Sequence, residues 1–382
     1  MKHNWEYKKL GEVCETTSGG TPSKIKLEYY TNGNIPWLRS GEIRQGLIFD
    51  TDIYITEEGL KHSSAKIIPI NSVVIAMYGA TVGQCGIIKS KMCTNQAVCS
   101  IFPNSNIIPE FLCLFLTSKK NTFIKSAVGG AQPNISQNIV RNTLIPLPPL
   151  SVQERIVEEL DRLSLILEKK KQQIKELDSL AQSIFYDMFG DPIENEKDWE
   201  VKKLGEVGEI VTGSTPSTTD NTNWNGKINW VTPAELSNQL FYGATQRRLT
   251  EKGAKNLTLM PVGTVLLSSR APIGKIAITT QPMCCNQGFK NIICGEYLNN
   301  IFLYYYLLIT LENIKALGCG ATFKEVSKKA IYSYETILPP LDLQQSFAKK
   351  IEAIEKQKEL INQSIKEVQL LFDAKMDYYF GD

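Results

Sequence analysis

Histidine is nearly missing from this 382-residue chain: it occurs twice, at His3 and His62. That removes His-rich zinc sites and most histidine-based catalytic triads. No G-x-x-x-x-G-K-[ST] phosphate loop is present, which argues against P-loop nucleotide hydrolysis. Gly318-Cys319-Gly320 lacks the remainder of a dinucleotide-binding G-x-G-x-x-G. The Asn-Pro-Pro-aromatic and Asp-Pro-Pro-Tyr motifs of adenine methyltransferases are also absent. No cysteine pair has C-x-x-C spacing, and the nine cysteines are an odd number, expected to be reduced and mostly buried in a cytoplasmic protein. The longest apolar run, Ile301 to Ile309, is half what a membrane span needs, and Met1 to Glu6 has no secretory h-region. Charge of either sign is not in excess: 42 basic and 40 acidic residues leave +2, which excludes a histone-like chain and an acidic tail.

The chain does contain itself twice. Trp5-Glu6-Tyr7-Lys8-Lys9-Leu10-Gly11-Glu12-Val13 returns as Trp199-Glu200-Val201-Lys202-Lys203-Leu204-Gly205-Glu206-Val207, a shift of 194. At that shift 13 of the 19 positions from 5 to 23 are identical, where about one would match by chance. Weaker matches follow: Trp37 with Trp230, Asn95-Gln96 with Asn286-Gln287, Pro148-Pro149-Leu150 with Pro339-Pro340-Leu341, and Phe189-Gly190-Asp191 with Phe380-Gly381-Asp382. The middles, roughly 24–130 and 218–320, diverge far more than the ends. Shared ends with unlike middles imply common scaffolding around two different recognition surfaces.

Each copy has two parts. Stretches such as Ser72 to Met77 and Thr264 to Ser268 predict strands between turns, and Glu110 to Thr117 and Leu298 to Leu311 predict helices, so the first part is a mixed α+β domain. From Val152 to Phe189 there is neither Gly nor Pro. Apolar residues there recur at 156, 160, 163, 167, 174, 177, 181, 184 and 188, a coiled-coil seam broken at Lys170. Phe347, Ile351, Ile354, Ile361, Ile365, Val368 and Phe372 repeat it, broken at Lys358. The expected organisation is a first domain over 1–150, a spacer helix over 151–190, a second domain over 191–341 and a C-terminal spacer helix over 342–382. Each helix must bury its stripe, and the economical partner is its copy, packed antiparallel. That predicts two mixed α/β domains related by a pseudo-two-fold axis and joined by two long antiparallel helices. Separate helices, each packed on its own domain, are the alternative.

Positive charge is confined to the globular parts: 1–150 carries net +5 and 191–341 net +1, while each helical part is negative. Alone this is a weak pointer to a polyanion. With two-fold symmetry it gains meaning, because duplex DNA has local dyads and two domains at about 180° can each enter a major groove. Unlike domains then imply unlike half-sites.

The duplicated Trp-Glu-x-Lys-Lys-Leu-Gly-Glu-Val openings, the Gly-x-Thr-Pro-Ser turns, the Pro-Pro-Leu junctions with Gln153 and Gln344, and the Phe-Gly-Asp helix ends resemble the specificity (S) subunit of type I restriction–modification enzymes. The resemblance spans the whole chain and implies a target recognition domain, a central helix, a second target recognition domain and a C-terminal helix. It implies a non-catalytic subunit that reads a bipartite double-stranded DNA target and docks two modification (M) subunits, with restriction (R) subunits joining. No cofactor is then expected on this chain; S-adenosylmethionine, ATP and magnesium belong to the partners. The run Glu168-Lys169-Lys170-Lys171 is a candidate docking surface, although such runs are ordinarily solvated faces. A scaffold bridging two protein partners without DNA readout, and an enzyme with a hidden carboxylate site, remain the alternatives.

Candidate DNA contacts are basic, amide and hydroxyl groups near Gly or Pro turns. Gly19, Gly20, Thr21, Ser23 and Lys24, with Ser214, Thr215 and Ser217, form turns common to both copies. Their hydroxyls and N–H groups suit phosphate, unless the turns serve folding alone. Arg39 and Ser40 stand where the second copy has Thr232. Tyr78 and Thr81 lie in a loop matching the one with Arg270 and Lys275, and positions that differ between copies suit base readout. Gln132, Asn134 and Ser136, against Thr322, Lys324 and Ser327, follow Gly-rich turns. Trp37 and Trp230 are expected in the core.

Overall fold

The computed structural model describes residues 4–381 except 44–45, 128–133, 238, 271 and 320–323. The chain forms two compact units: residues 1–170 with 364–382, and residues 171–363.

Among its described residues the first unit holds eleven strands: β1 (Glu6–Lys9), β2 (Thr16–Ser18), β3 (Ile35–Leu38), β4 (Leu47–Ile48), β5 (Tyr54–Ile55), β6 (Ile67–Ile68), β7 (Val73–Ala76), β8 (Cys85–Ile88), β9 (Met92–Thr94), β10 (Val98–Ile101) and β11 (Leu144–Leu147). They make a five-stranded sheet, β2-β10-β7-β8-β4, a four-stranded sheet, β5-β3-β9-β6, and the pair β1-β11. All four residues of β7 are buried. Val73 and Ile75 face a cluster with Phe111, Phe115, Ile156 and Leu160, whereas Val74 and Ala76 face one with Leu38, Ile88 and Met92. A strand covered on both faces reads as an unbroken apolar run, which is why this one is so plain in the sequence.

The second unit holds β12 (Val201–Lys203), β13 (Gly208–Val211), β14 (Trp224–Val231), β15 (Phe241–Tyr242), β16 (Arg247–Leu249), β17 (Val265–Leu267), β18 (Ile276–Thr279), β19 (Met283–Cys285), β20 (Asn291–Cys294) and β21 (Glu335–Ile337). Its sheets are β13-β20-β17-β18-β15, β16-β14-β19 and β12-β21. Apart from β6, whose place beside β19 is taken by an isolated bridge between Met260 and Met283, this repeats the first unit, down to the parallel pairs β3–β9 and β14–β19, and β4–β8 and β15–β18. The middles of the two copies have therefore diverged in sequence while keeping one topology. The expected helices are Pro109–Ser118 and Asn300–Ile309, each lying on its five-stranded sheet.

Two 40-residue helices, Leu150–Phe189 and Leu341–Phe380, complete the chain. Every seam position expected from the spacing is buried or half-buried. In the second unit Phe185 meets Phe347 with ring centroids 5.6 Å apart and Lys358 pairs with Asp178 at 2.7 Å, so the helical segments run antiparallel. Lys358, the break in the seam, sits between Asp178 and Glu355 with its side chain only 18% exposed. In the first unit Lys375 pairs with Glu159 at 2.6 Å. Phe185 and Phe189 lie off the expected seam yet are fully buried, because they pack into the domain core on Phe302, at 5.6 and 4.8 Å. Phe380 does the same on Phe111 and Phe115, at 5.4 and 5.9 Å. The Phe-Gly ends thus anchor each long helix to a domain, and Gly190, at φ +76°, takes the left-handed position that stops the first helix.

The Pro-Pro-Leu junctions acquire a reason in the next turn. Gln153 is completely buried; its Oε1 accepts from Ile108 N at 2.9 Å, and its Nε2 donates to the carbonyls of Asn106 and Pro148, both at 2.9 Å. Gln344 repeats this with Asn299 N (2.8 Å), Tyr297 O (3.1 Å) and Pro339 O (2.7 Å). Each glutamine staples the start of a long helix to the loop before a domain helix. Among the described residues no helix is long and apolar enough to cross a membrane.

Candidate nucleic-acid interface

The Gly-x-Thr-Pro-Ser turns are built into the scaffold. Gly19 N donates to Val98 O at 3.4 Å and Gly20 N to Thr94 O at 2.9 Å. A Cβ on Gly19 would lie 1.9 Å from the Thr94 carbonyl, and one on Gly213 would lie 2.0 Å from that of Cys285. The buried indoles of Trp37 and Trp230 donate to the carbonyls of Gly20 (2.9 Å) and Ser214 (3.2 Å). This corrects the expectation for Gly19 and Gly20: both are buried and their N–H groups are spent on the backbone. Thr21 and Thr215 remain at the rim, with hydroxyls bonded to Gln96 and Gln287. Ser23, Lys24, Ser214 and Ser217 are exposed. The Ser217 hydroxyl meets Thr219 at 2.9 Å, and its carbonyl accepts from the Trp224 indole at 3.0 Å.

The other candidates gather beside these turns. Asn95 N donates to Leu38 O at 2.9 Å, joining the Gln96 loop to the turn carrying Arg39 and Ser40. That turn, Ser40–Glu42, packs against the turn Gly79–Thr81. Arg39 is tied down: Nε donates to Glu42 Oε2 at 3.0 Å, and Nη2 lies 3.9 Å from Asp52. In the second unit Thr232 caps the same turn, its N and Oγ1 donating to Glu235 Oε1 at 2.9 and 3.0 Å. One scaffold carries a cation on one copy and a hydroxyl on the other.

The loops after β7 and β17 settle the register between copies. Met77 N donates to Ala97 O and its carbonyl accepts from Ile135 N; Ser269 does the same with Gly288 and Val326. Tyr78 is therefore the counterpart of Arg270. Tyr78 is 39% exposed and bridges to Asn134 through the backbone. Arg270 pairs instead with Glu325, Nε to Oε2 at 2.9 Å. Glu325 also accepts from Lys290 at 3.1 Å, and Lys290 donates to Ser269 Oγ at 3.1 Å. Burial pushes the Glu325 carboxyl up, but hydrogen bonds from Lys290 and Arg270 outweigh it and hold the group below its ordinary value.

Three candidates turn out to have local duties. Ser136 and Ser327 are helix N-caps, accepting from Ile139 N at 3.3 Å and Ala330 N at 3.1 Å. The Thr81 hydroxyl donates to Tyr78 O at 3.4 Å, closing its own turn. Lys275 is half-buried, and Lys324 is exposed beside Glu325. Gln132 and Thr322 lie outside the described residues.

Three features escaped sequence reasoning. Gln96 and Gln287 were visible as an identity between copies, but nothing local tied them to the Thr turns. Lys290 and Glu325 are separated by 34 residues of unrelated sequence. Arg247, on the edge strand β16, lies 3.6 Å above the Trp224 ring, a cation–π contact that exposes the guanidinium beside Arg248. Cysteine chemistry does not enter: eight of the nine thiols are buried or half-buried, and burial pushes those of Cys14 and Cys284 up to about 11 and those of Cys93 and Cys99 up to about 12. Among the described residues no three His, Cys, Asp or Glu side chains group to hold a metal.

The sequence profile described as "Type I restriction modification DNA specificity domain" matches residues 2–177 and again 196–370. The chain belongs to this family. Within the family it is 40% identical over 158 residues to the type I restriction enzyme MjaIX specificity subunit of Methanocaldococcus jannaschii, a match spanning 40% of this chain and 37% of that one. It is 33% identical over 166 residues to the EcoR124I/EcoR124II specificity subunit of Escherichia coli, spanning 42% and 41%. In these two matches the chain thus spans about two fifths of the relatives' length. The putative MjaX specificity subunit of Methanocaldococcus jannaschii aligns over 98% of this chain and 94% of its own, at 26% identity. Among solved structures, a chain from work on complex assembly of a type I R-M system superposes with TM-score 0.65 at 23% identity, covering 98% of this chain and 97% of that one. The crystal structure of the S subunit from M. genitalium gives 0.59 at 15% identity, covering 99% and 96%. At these identities the superpositions speak for the specificity-subunit fold, with both copies and both long helices included.

Proposed function

We propose that this chain is the DNA-reading subunit of a type I restriction–modification complex, in the cytoplasm. It catalyses nothing itself. Each unit reads one half of an asymmetric, split duplex target, and the long helices dock two methyltransferase (M) subunits, which carry S-adenosylmethionine. ATP and magnesium belong to restriction (R) subunits. One observation carries this reading: a single scaffold occurs twice with its topology intact, while its rim differs, Arg39 against Thr232, Tyr78 against Arg270, Asn134 against Glu325. Scaffold positions hold the backbone at a common distance from phosphates, and variant rim positions present different hydrogen-bonding groups to base edges. The helical surface suits protein partners: Leu360 and Leu370 on the second long helix are 60% and 70% exposed.

The test is modification mapping by long-read sequencing of DNA from cells expressing the chain with its methyltransferase partners. A split, asymmetric methylated motif that disappears when this gene is deleted is the expected result. Complex assembly with no sequence-dependent methylation would leave the protein as a bridging scaffold and overturn the proposal.

A further inference from the structure

Arg270 differs from the other cations of the rim in what stands behind it. Lys290 immediately precedes β20 and is almost enclosed, its side chain 8% exposed. Its ammonium is met by Ser269 Oγ and Glu325 Oε1, both at 3.1 Å. The other carboxylate oxygen of Glu325 takes Arg270 Nε at 2.9 Å. The three side chains form a row from interior to surface: ammonium, carboxylate, guanidinium. The inner two cancel, so the net positive charge of the row resides on its outermost member, which is 49% exposed. Among the described residues Glu325 is the one partner of Arg270.

An arginine engaged through Nε keeps both of its Nη groups for a second partner. Two parallel N–H donors from one rigid plane fit a pair of acceptors on one edge, and guanine O6 and N7 are that pair in the major groove. A phosphate would accept the same donors. The repeat argues against it, because a backbone contact serves both half-sites and should recur in both copies. The counterpart of Arg270 is Tyr78, that of Glu325 is Asn134 and that of Lys290 is Cys99, so the row is absent as a set from the first unit. We infer that Arg270, positioned by the Glu325–Lys290 pair, reads one guanine in the half-site of the second unit. This inference rests on the DNA-reading function proposed above.

The experiment is modification mapping of the whole complex carrying R270A, R270K or E325Q, beside the unaltered chain. With R270A one G·C position in one half-site should become degenerate, its discrimination falling by about tenfold or more. The other half-site and the spacing should stay as they were. R270K, with one donor centre in place of two, should relax the same position, and E325Q should relax it partially because the arginine plane is freed. A general loss of folding lowers methylation at every site equally and cannot relax a single position. An unchanged motif in R270A, or a uniform decline across all sites in a variant complex that melts with the parent, as for a phosphate contact, would overturn the inference and leave the DNA-reading function standing. Absence of any split motif with the unaltered chain would overturn both.

Discussion

Replacing Gln153 by Leu probes the staple on which the first unit closes. The side chain is fully buried and uses three of its hydrogen-bonding positions, on Ile108 N, Asn106 O and Pro148 O, all at 2.9 Å. Leucine fills nearly the same volume but satisfies none of these groups, leaving one N–H and two carbonyls without their partner. At roughly 1 kcal/mol for each bond the loss is about 3 kcal/mol, and it is greater if water cannot reach the orphaned groups. For a unit of this size that corresponds to a fall in Tm of about 6–12 °C. Scanning calorimetry of the full chain reads it directly. Gln344→Leu is the internal control, since its bonds to Asn299 N, Tyr297 O and Pro339 O repeat the arrangement, and it should cost a similar amount in the second unit. If either variant melts within a degree of the parent, the staple is ornamental and the packing argument for the junctions fails.

Gly19→Ala places a methyl 1.9 Å from the Thr94 carbonyl, an overlap only backbone movement relieves. It should destabilise the first unit by about 3 kcal/mol or more, seen as a lowered urea midpoint. Phe380→Ala empties a site enclosed by Phe111 and Phe115 and should cost about 3–4 kcal/mol, with hydrogen exchange rising in residues 109–118 while residues 300–309 keep their protection. The Glu325 carboxyl lies below its ordinary value near 4.5, so its contribution to stability is present above that pH and is lost as pH falls through the folded value. The difference in stability between the parent and Glu325→Gln should be constant from neutral pH down to about 5.5 and shrink below 4.5 in chemical denaturation. A difference that grows on acidification would contradict the pairing.

Periodicity was legible where burial is one- or two-sided and regular. The strands β7 and β17, the two domain helices and the seams of the long helices all follow from local pattern, because apolar spacing is imposed by a neighbouring surface that repeats with the element itself. The candidate rim was legible only as loops. Arg39, Tyr78 and Arg270 do sit there, but Ser136 and Ser327 proved to be caps and Gly19 and Gly20 backbone packing. A hydroxyl or a glycine near a turn has the same local signature whether it serves the fold or a ligand.

The sequence by itself determined that one unit was duplicated, that each copy carries a long helix with an apolar seam, and that no familiar catalytic or nucleotide-binding motif accompanies them; each of these is written in spacing along the chain. Tertiary structure alone decided that Tyr78 answers to Arg270, that Gln153 and Gln344 are staples, and that Lys290 stands behind Glu325. The physical reason is range. Those relations join residues tens of positions apart through single hydrogen bonds and ion pairs, and such bonds leave no period in a sequence until the sheets bring their ends together.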